Sequence, residues 1–139
     1  MTAKSKRATL ILKSWSLLHR VRDVLMRCED ERFGEYGLTS EQFGVLVTMK
    51  YIGESARPTD IARWLSRSPN SVSMIIDRMV KAGLVKRTRG KKDRREVRIT
   101  ATSKGENALK PATQAGWGVY PENNVAIIRG GQVYPCQAA

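Results

Sequence analysis

Residues 57–101 read RPTDIARWLSRSPNSVSMIIDRMVKAGLVKRTRGKKDRREVRITA. The order of signals predicts a short helix, a turn, a second helix and a two-stranded ribbon. Pro58 suits the first turn of a helix, where its missing N–H is not needed, and Asp60 complements the positive end of the helix dipole. Ile61, Ala62 and Leu65 fall on one inward face, and Ser66-Arg67 makes the turn. Ser68 then serves as N-cap and Pro69 as first residue of the second helix. In that helix Val72, Ile75, Ile76, Met79 and Val80 share a face, and Gly83 stops it. Residues 84–89 form the first ribbon strand and 90–94 the turn. The return strand is 95–101, where Val97, Ile99 and Ala101 alternate with Glu96, Arg98 and Thr100.

Charge is concentrated in this stretch. Residues 57–98 hold 13 Lys/Arg against 4 Asp/Glu, which is nine of the formal +12 of the 139-residue chain. A pI near 10.2 points to a polyanionic partner, nucleic acid before an acidic membrane surface. Lys91, Lys92, Arg94 and Arg95 outnumber any acidic neighbours at the ribbon turn, and such a tip fits a DNA minor groove, whose negative potential attracts arginine. Asp93 is out of place there unless it shapes the turn by accepting from nearby N–H groups. The second helix exposes Asn70, Ser71 and Ser73 near its start. Small polar groups in the first turns let a helix approach base edges, and asparagine pairs bidentately with adenine. Candidate DNA contacts are therefore Arg57, Ser68, Asn70, Ser71, Ser73, Met74, Arg78, Arg89, Lys91, Lys92, Arg94 and Arg95. Asp77 and Asp93 are candidate ribbon-stabilising residues. The bland readings are a solvated helix face and a solvated charged loop.

Outward from this unit, residues 8–32 predict one long helix. Leu10, Leu17, Val21, Val24 and Cys28 recur at helical spacing, with Ile11, Trp15, Leu18 and Leu25 beside them. So wide a stripe predicts packing on its own domain along one edge and on something else, such as a second subunit, along the other. The acidic run Glu29-Asp30-Glu31 opposes the helix dipole at that end and predicts fraying. Thr39 and Gln42 form a capping box, with Leu38 stapling onto Phe43, and that helix runs to Ile52 before Gly53. Thr102 caps a further helix through Leu109.

The chemistry excluded is broad. No run of about 18 apolar residues exists, and Lys13 breaks the apolar part of a basic N-terminus that has no small-residue cleavage site. The expected protein is cytoplasmic and keeps no membrane contact. Cys28 and Cys136 have neither disulfide-framework nor metal-ligand spacing. With one histidine, His19, and no nucleophile–base or carboxylate pair, no enzyme, cofactor or metal is expected.

These residues resemble the MarR-type winged helix-turn-helix transcription regulators. The similarity runs over about residues 38–105, with residues 8–32 compatible. The ribbon signature is Asp93-Arg94-Arg95, Val97, Ile99 and then Thr102-Ser103-Lys104-Gly105. The recognition helix opens over Ser68 to Ser73 and closes as Gly83-Leu84-Val85. Ala101 departs from the family's usual leucine, which implies looser packing under the ribbon. The resemblance implies a fold that is mainly α with a small β-ribbon: a winged helix-turn-helix DNA-binding domain plus helical dimerisation elements. It implies a homodimer on a pseudo-palindromic operator in double-stranded DNA, and a repressor before an activator. Each recognition helix would enter a major groove and each wing a minor groove, with Arg95 or Arg94 inserting. Asp77 would pair with one of these two arginines. A small aromatic or anionic effector is implied in a cleft towards the dimer helices, with Trp15, His19 and Tyr51 as amphipathic candidates whose blander reading is plain packing. Some relatives sense peroxide through a cysteine in the first helix, so Cys28 offers a redox alternative, against which stands an inert buried thiol. The other alternative is an architectural, non-specific nucleic-acid binder without effector.

The expected organisation is an N-terminal helix for core and dimerisation (1–37), the winged unit (38–101), the start of a C-terminal dimerisation helix (102–110) and an atypical tail (111–139). In the tail Pro111, Gly116, Gly118 and Pro121 oppose a long helix. Residues 125–128 and 132–134 there suggest a small hairpin around Arg129-Gly130-Gly131.

Overall fold

The computed structural model describes residues 2–53, 56–117, 128–129 and 132–133. Its elements are α1 (Ala3–Gly34), α2 (Ser40–Ile52), α3 (Pro58–Trp64), α4 (Pro69–Lys81), β1 (Val85–Arg89), β2 (Val97–Ala101), α5 (Ser103–Trp117), β3 (Ile128–Arg129) and β4 (Gln132–Val133).

α1 begins earlier than the apolar periodicity suggests, because Thr2 caps it by accepting from the Ser5 N–H. It also ends later. Glu29 and Asp30 do not fray the helix; they reach the start of α2, where Ser40 donates its hydroxyl to Glu29 (2.5 Å) and its N–H to Asp30 (2.7 Å). Carboxylates that oppose one helix dipole thus complement the positive end of the next. Phe33 stacks on Phe43 at 4.1 Å, and Leu38 is buried beside them. The Thr39–Gln42 capping box forms in full, both bonds at 3.1 Å.

The core lies under the winged unit. Val45 and Leu46 of α2, Ile61 of α3, Val72, Ile76 and Met79 of α4, and Val85, Ile99 and Leu109 are all fully buried. Val80, expected on the inward face of α4, is 37% exposed, at the edge of the stripe. Val97, expected to alternate inward, is 36% exposed because it lies at the far end of the ribbon, opposite Arg89. β1 and β2 pair antiparallel from Val85↔Ala101 to Arg89↔Val97. The backbone of Ala56 joins this ribbon, its carbonyl accepting from the Ile99 N–H at 2.9 Å.

Gly83, at φ +74°, closes α4 in the left-handed conformation and turns the chain into β1. Thr102 locks that corner. Its N–H donates to Leu84 O (3.0 Å) and its hydroxyl to Gly83 O (2.5 Å), while the same hydroxyl oxygen accepts from the Gly105 N–H at 3.1 Å. A Cβ at Gly105 would stand 2.1 Å from the Leu84 carbonyl oxygen, so the Thr-x-x-Gly spacing is what lets α5 start against β1.

α5 corrects the expectation of a short C-terminal helix. It continues past Pro111 and Gly116 to Trp117. Proline inside a helix costs about 3 kcal/mol; here burial of Leu109 (2% exposed) and Ala112 (0%) on either side opposes that cost. Gly118, Pro121 and Cys136 lie outside the described residues. The expected tail hairpin is present as the pairing Ile128↔Val133 and Arg129↔Gln132, which puts Arg129 in a strand rather than in the turn.

Candidate nucleic-acid interface

Two surfaces of the winged unit carry the candidate contacts. The first is the start of α4. Ser68 is its N-cap, accepting from the Ser71 N–H, and the two hydroxyls meet at 2.8 Å. Asn70, Ser71, Met74 and Arg78 are exposed and Ser73 is half-buried. Met74 is 56% exposed, so this face has an apolar spot beside its polar groups. Among the described residues the Asn70 amide has no hydrogen-bond partner, which leaves its donor and acceptor pair available to a base edge.

The second surface is the ribbon tip. Gly90 N–H donates to Glu96 O (2.8 Å) and Glu96 N–H to Asp93 O (3.1 Å). The Asp93 carboxylate accepts from the Arg95 N–H at 2.8 Å, so the acidic residue shapes the turn as its position suggested. Arg89, Lys91, Lys92, Arg94 and Arg95 are all exposed. None of these five makes an ion pair among the described residues, so their charge is uncompensated.

Arg57 differs from the other candidates. Its guanidinium donates to both oxygens of Asp60 (2.8 and 3.3 Å) and lies 3.7 Å from Glu96. The hydrogen bond between Arg57 and Asp60 raises the arginine's pKa and lowers that of the aspartate. Arg57 thus ties the start of α3 to the ribbon base while its side chain stays half-exposed. Glu96 also receives Arg98 at 3.1 Å.

Asp77 pairs with Arg87 at 2.5 Å, not with Arg94 or Arg95. β1 leaves α4 directly through Gly83, which lays Arg87 alongside the helix. The tip is several residues further on, at about 3.3 Å per residue. The pair still joins recognition helix to wing, the role foreseen for Asp77. Sequence patterning gave no sign of a second tie, in which Arg67, after the left-handed Ser66 (φ +51°), pairs with Glu41 of α2.

The three effector candidates do not converge. Trp15 packs against His19 with the rings tilted (4.2 Å) along an open face of α1, whereas Tyr51 stacks on Trp64 (5.9 Å) at the ends of α2 and α3. A groove of about 500 Å³ opens at the base of the ribbon, and none of the three borders it. Cys28 is buried in α1. No described helix is long and apolar enough to cross a membrane.

Comparison with known proteins agrees with this geometry. The MarR family model matches residues 38–97. The transcriptional regulator PapX of Escherichia coli is 31% identical over 97 residues, 69% of this chain and 59% of PapX. The chain spans 48–59% of the length of the curated relatives it matches. A mutant of Escherichia coli MarR complexed with operator DNA superposes with a TM-score of 0.69 at 25% identity, covering 76% of this chain and 74% of that one. The organohalide-sensing regulator RdhR in its 2,4-dichlorophenol-bound form superposes at 0.75 with 27% identity, covering 80% and 66%. These similar proteins are transcription regulators.

Proposed function

From a chain whose residues 38–97 match the MarR family model, we propose that this protein is a MarR-type transcription regulator and a sequence-specific DNA-binding repressor. It acts in the cytoplasm as a homodimer on a pseudo-palindromic operator, and a small molecule releases it. The observation that carries this reading is the pairing of two differently equipped surfaces on one unit. α4 offers unpartnered polar groups for base edges, the ribbon tip offers uncompensated cations for the backbone and minor groove, and Asp77–Arg87 holds the two in register. The E. coli MarR complex with operator DNA supports the same placement. For the dimer, the support is the first half of α1, where Leu10, Ile11, Leu12, Trp15 and Leu18 are 60–70% exposed. Apolar area of that extent on one helix marks a surface that another surface covers. Within this reading, residues 1–37 and α5 serve dimerisation and residues 38–101 contact DNA.

The deciding experiment is selection of bound sequences from a random duplex library at near-physiological salt. An inverted repeat with half-sites about one helical turn apart is expected. A motif-free pool would instead favour an architectural binder.

Asn70→Ala is expected to cost about 1–3 kcal/mol and to relax selection at one base pair per half-site. Uniform weakening across all sequences would remove Asn70 from base readout. Asp77→Ala removes a half-exposed ion pair, worth at most about 1 kcal/mol to folding. We expect operator affinity to fall about fivefold, the equivalent of that energy acting on wing position. An unchanged operator titration would end the claim that this pair sets the wing.

A further inference from the structure

We propose that Met74 reads the 5-methyl group of a pyrimidine in the major groove, so that one base pair of each half-site is chosen for its methyl group and not for its hydrogen bonds. The proposal deepens the reading of α4 as the helix that meets base edges, and rests on it.

α4 buries Val72, Ile75, Ile76 and Met79 against the core. Met74 lies about 200° around the helix from Val72 and from Ile76, on the face turned away from that core. Among the large apolar side chains of α4 it is the most exposed, at 56%. Its neighbours along the helix say what it faces. Asn70 stands one turn before it and Asp77 one turn after, so the three form a single row. Arg87 of β1 holds Asp77, which closes that end of the row against the ribbon. The exposed amide of Asn70 opens the other end. A helix that brings Asn70 to a base edge therefore brings Met74 to the groove floor as well, about 6 Å further along the helix axis. That rise matches about two base-pair steps of DNA. Chemistry then selects the group that fits. A thioether donates nothing and accepts weakly. Over a polar base edge it would displace water and return no hydrogen bond, which costs affinity. The apolar group that the major groove presents is the C5 methyl of thymine, and methionine's flexible chain and polarizable sulfur adapt to such a contact. 5-Methylcytosine carries the same methyl on the same ring atom, so this position also makes binding responsive to cytosine methylation.

The test uses the full chain and the duplex recovered by selection. Each thymine of one half-site is replaced in turn by deoxyuridine, which removes the methyl alone, and affinity is read by fluorescence anisotropy. At one position, within about two base pairs of the adenine met by Asn70, binding should weaken about fourfold, the worth of one buried methyl. With a cytosine–guanine pair at that position, 5-methylation of the cytosine should strengthen binding by about the same factor. Met74→Ala should melt with the parent and distinguish neither thymine from uracil nor methylated from plain cytosine there. Met74→Leu, still apolar, should keep both differences. Silence of every deoxyuridine substitution, no gain from 5-methylcytosine, or a methyl effect undiminished in Met74→Ala would each overturn the proposal while sequence-specific binding stands. A selected pool without a motif would overturn it together with the reading of α4.

Discussion

Gly105→Ala is expected to lower the melting temperature by about 10 °C, from the overpacking and midpoint arithmetic that follows. A methyl there would sit 2.1 Å from the Leu84 carbonyl oxygen, and the obstacle is backbone rather than the end of a side chain that can swing away. The Leu84 carbonyl is also the acceptor for Thr102 N–H, so moving it strains the corner that joins β1, β2 and α5. Overpacking of this kind costs about 3 kcal/mol, and at this chain length each kcal/mol shifts the midpoint by about 3 °C. Gly34→Ala is the control, because no atom lies within 4 Å of its added Cβ. Thermal denaturation followed by circular dichroism reads both. If Gly105→Ala melts with the parent, α5 does not approach β1 as described.

The largest functional effect is expected from replacing Lys91, Lys92, Arg94 and Arg95 together by alanine. All four are exposed cations without ion-pair partners among the described residues, so nothing within the fold depends on their charge. Each cation that no longer neutralises a phosphate lowers the slope of log affinity against log salt by about 0.9. Removing four would flatten the slope by about three to four units for each wing on the DNA, and weaken binding at least about a thousandfold near 0.1 M salt. Titrations from about 50 to 200 mM salt measure this, and melting should be unaffected. Within the set, Arg95→Ala alone should matter most where the flanking minor groove is narrow. A slope equal to the parent's would mean that the tip does not touch DNA.

Legible in the sequence was whatever short-range chemistry decides. The Thr39–Gln42 box, Pro58, Ser68-Pro69, Gly83 and the Asp93 turn are each settled within a few residues, and all appear where the sequence placed them. What escaped depended on partners distant in sequence. Glu29 and Asp30 read as a liability for α1 because Ser40, at the start of the next helix, is invisible to a dipole argument about one helix. Pro111 read as a stop because propensity knows nothing of Leu109 and Ala112 packing against the rest. Asp77 was given the right role and the wrong arginine, since either choice satisfies charge and only the direction of β1 selects Arg87.

The turn at 90–96 is held by bonds that begin and end within itself, from Gly90 to Glu96 and from Asp93 to Glu96 and Arg95. Lys91, Lys92 and Arg94 supply no side chain to those bonds. Mutation can therefore explore these three positions without passing through unfolded intermediates. Divergence in affinity and in preferred flanking sequence is separated here from the survival of the scaffold. A lineage carrying this wing can change its set of target sites by single steps, each viable, and a library randomised at those positions should consist almost entirely of folded proteins.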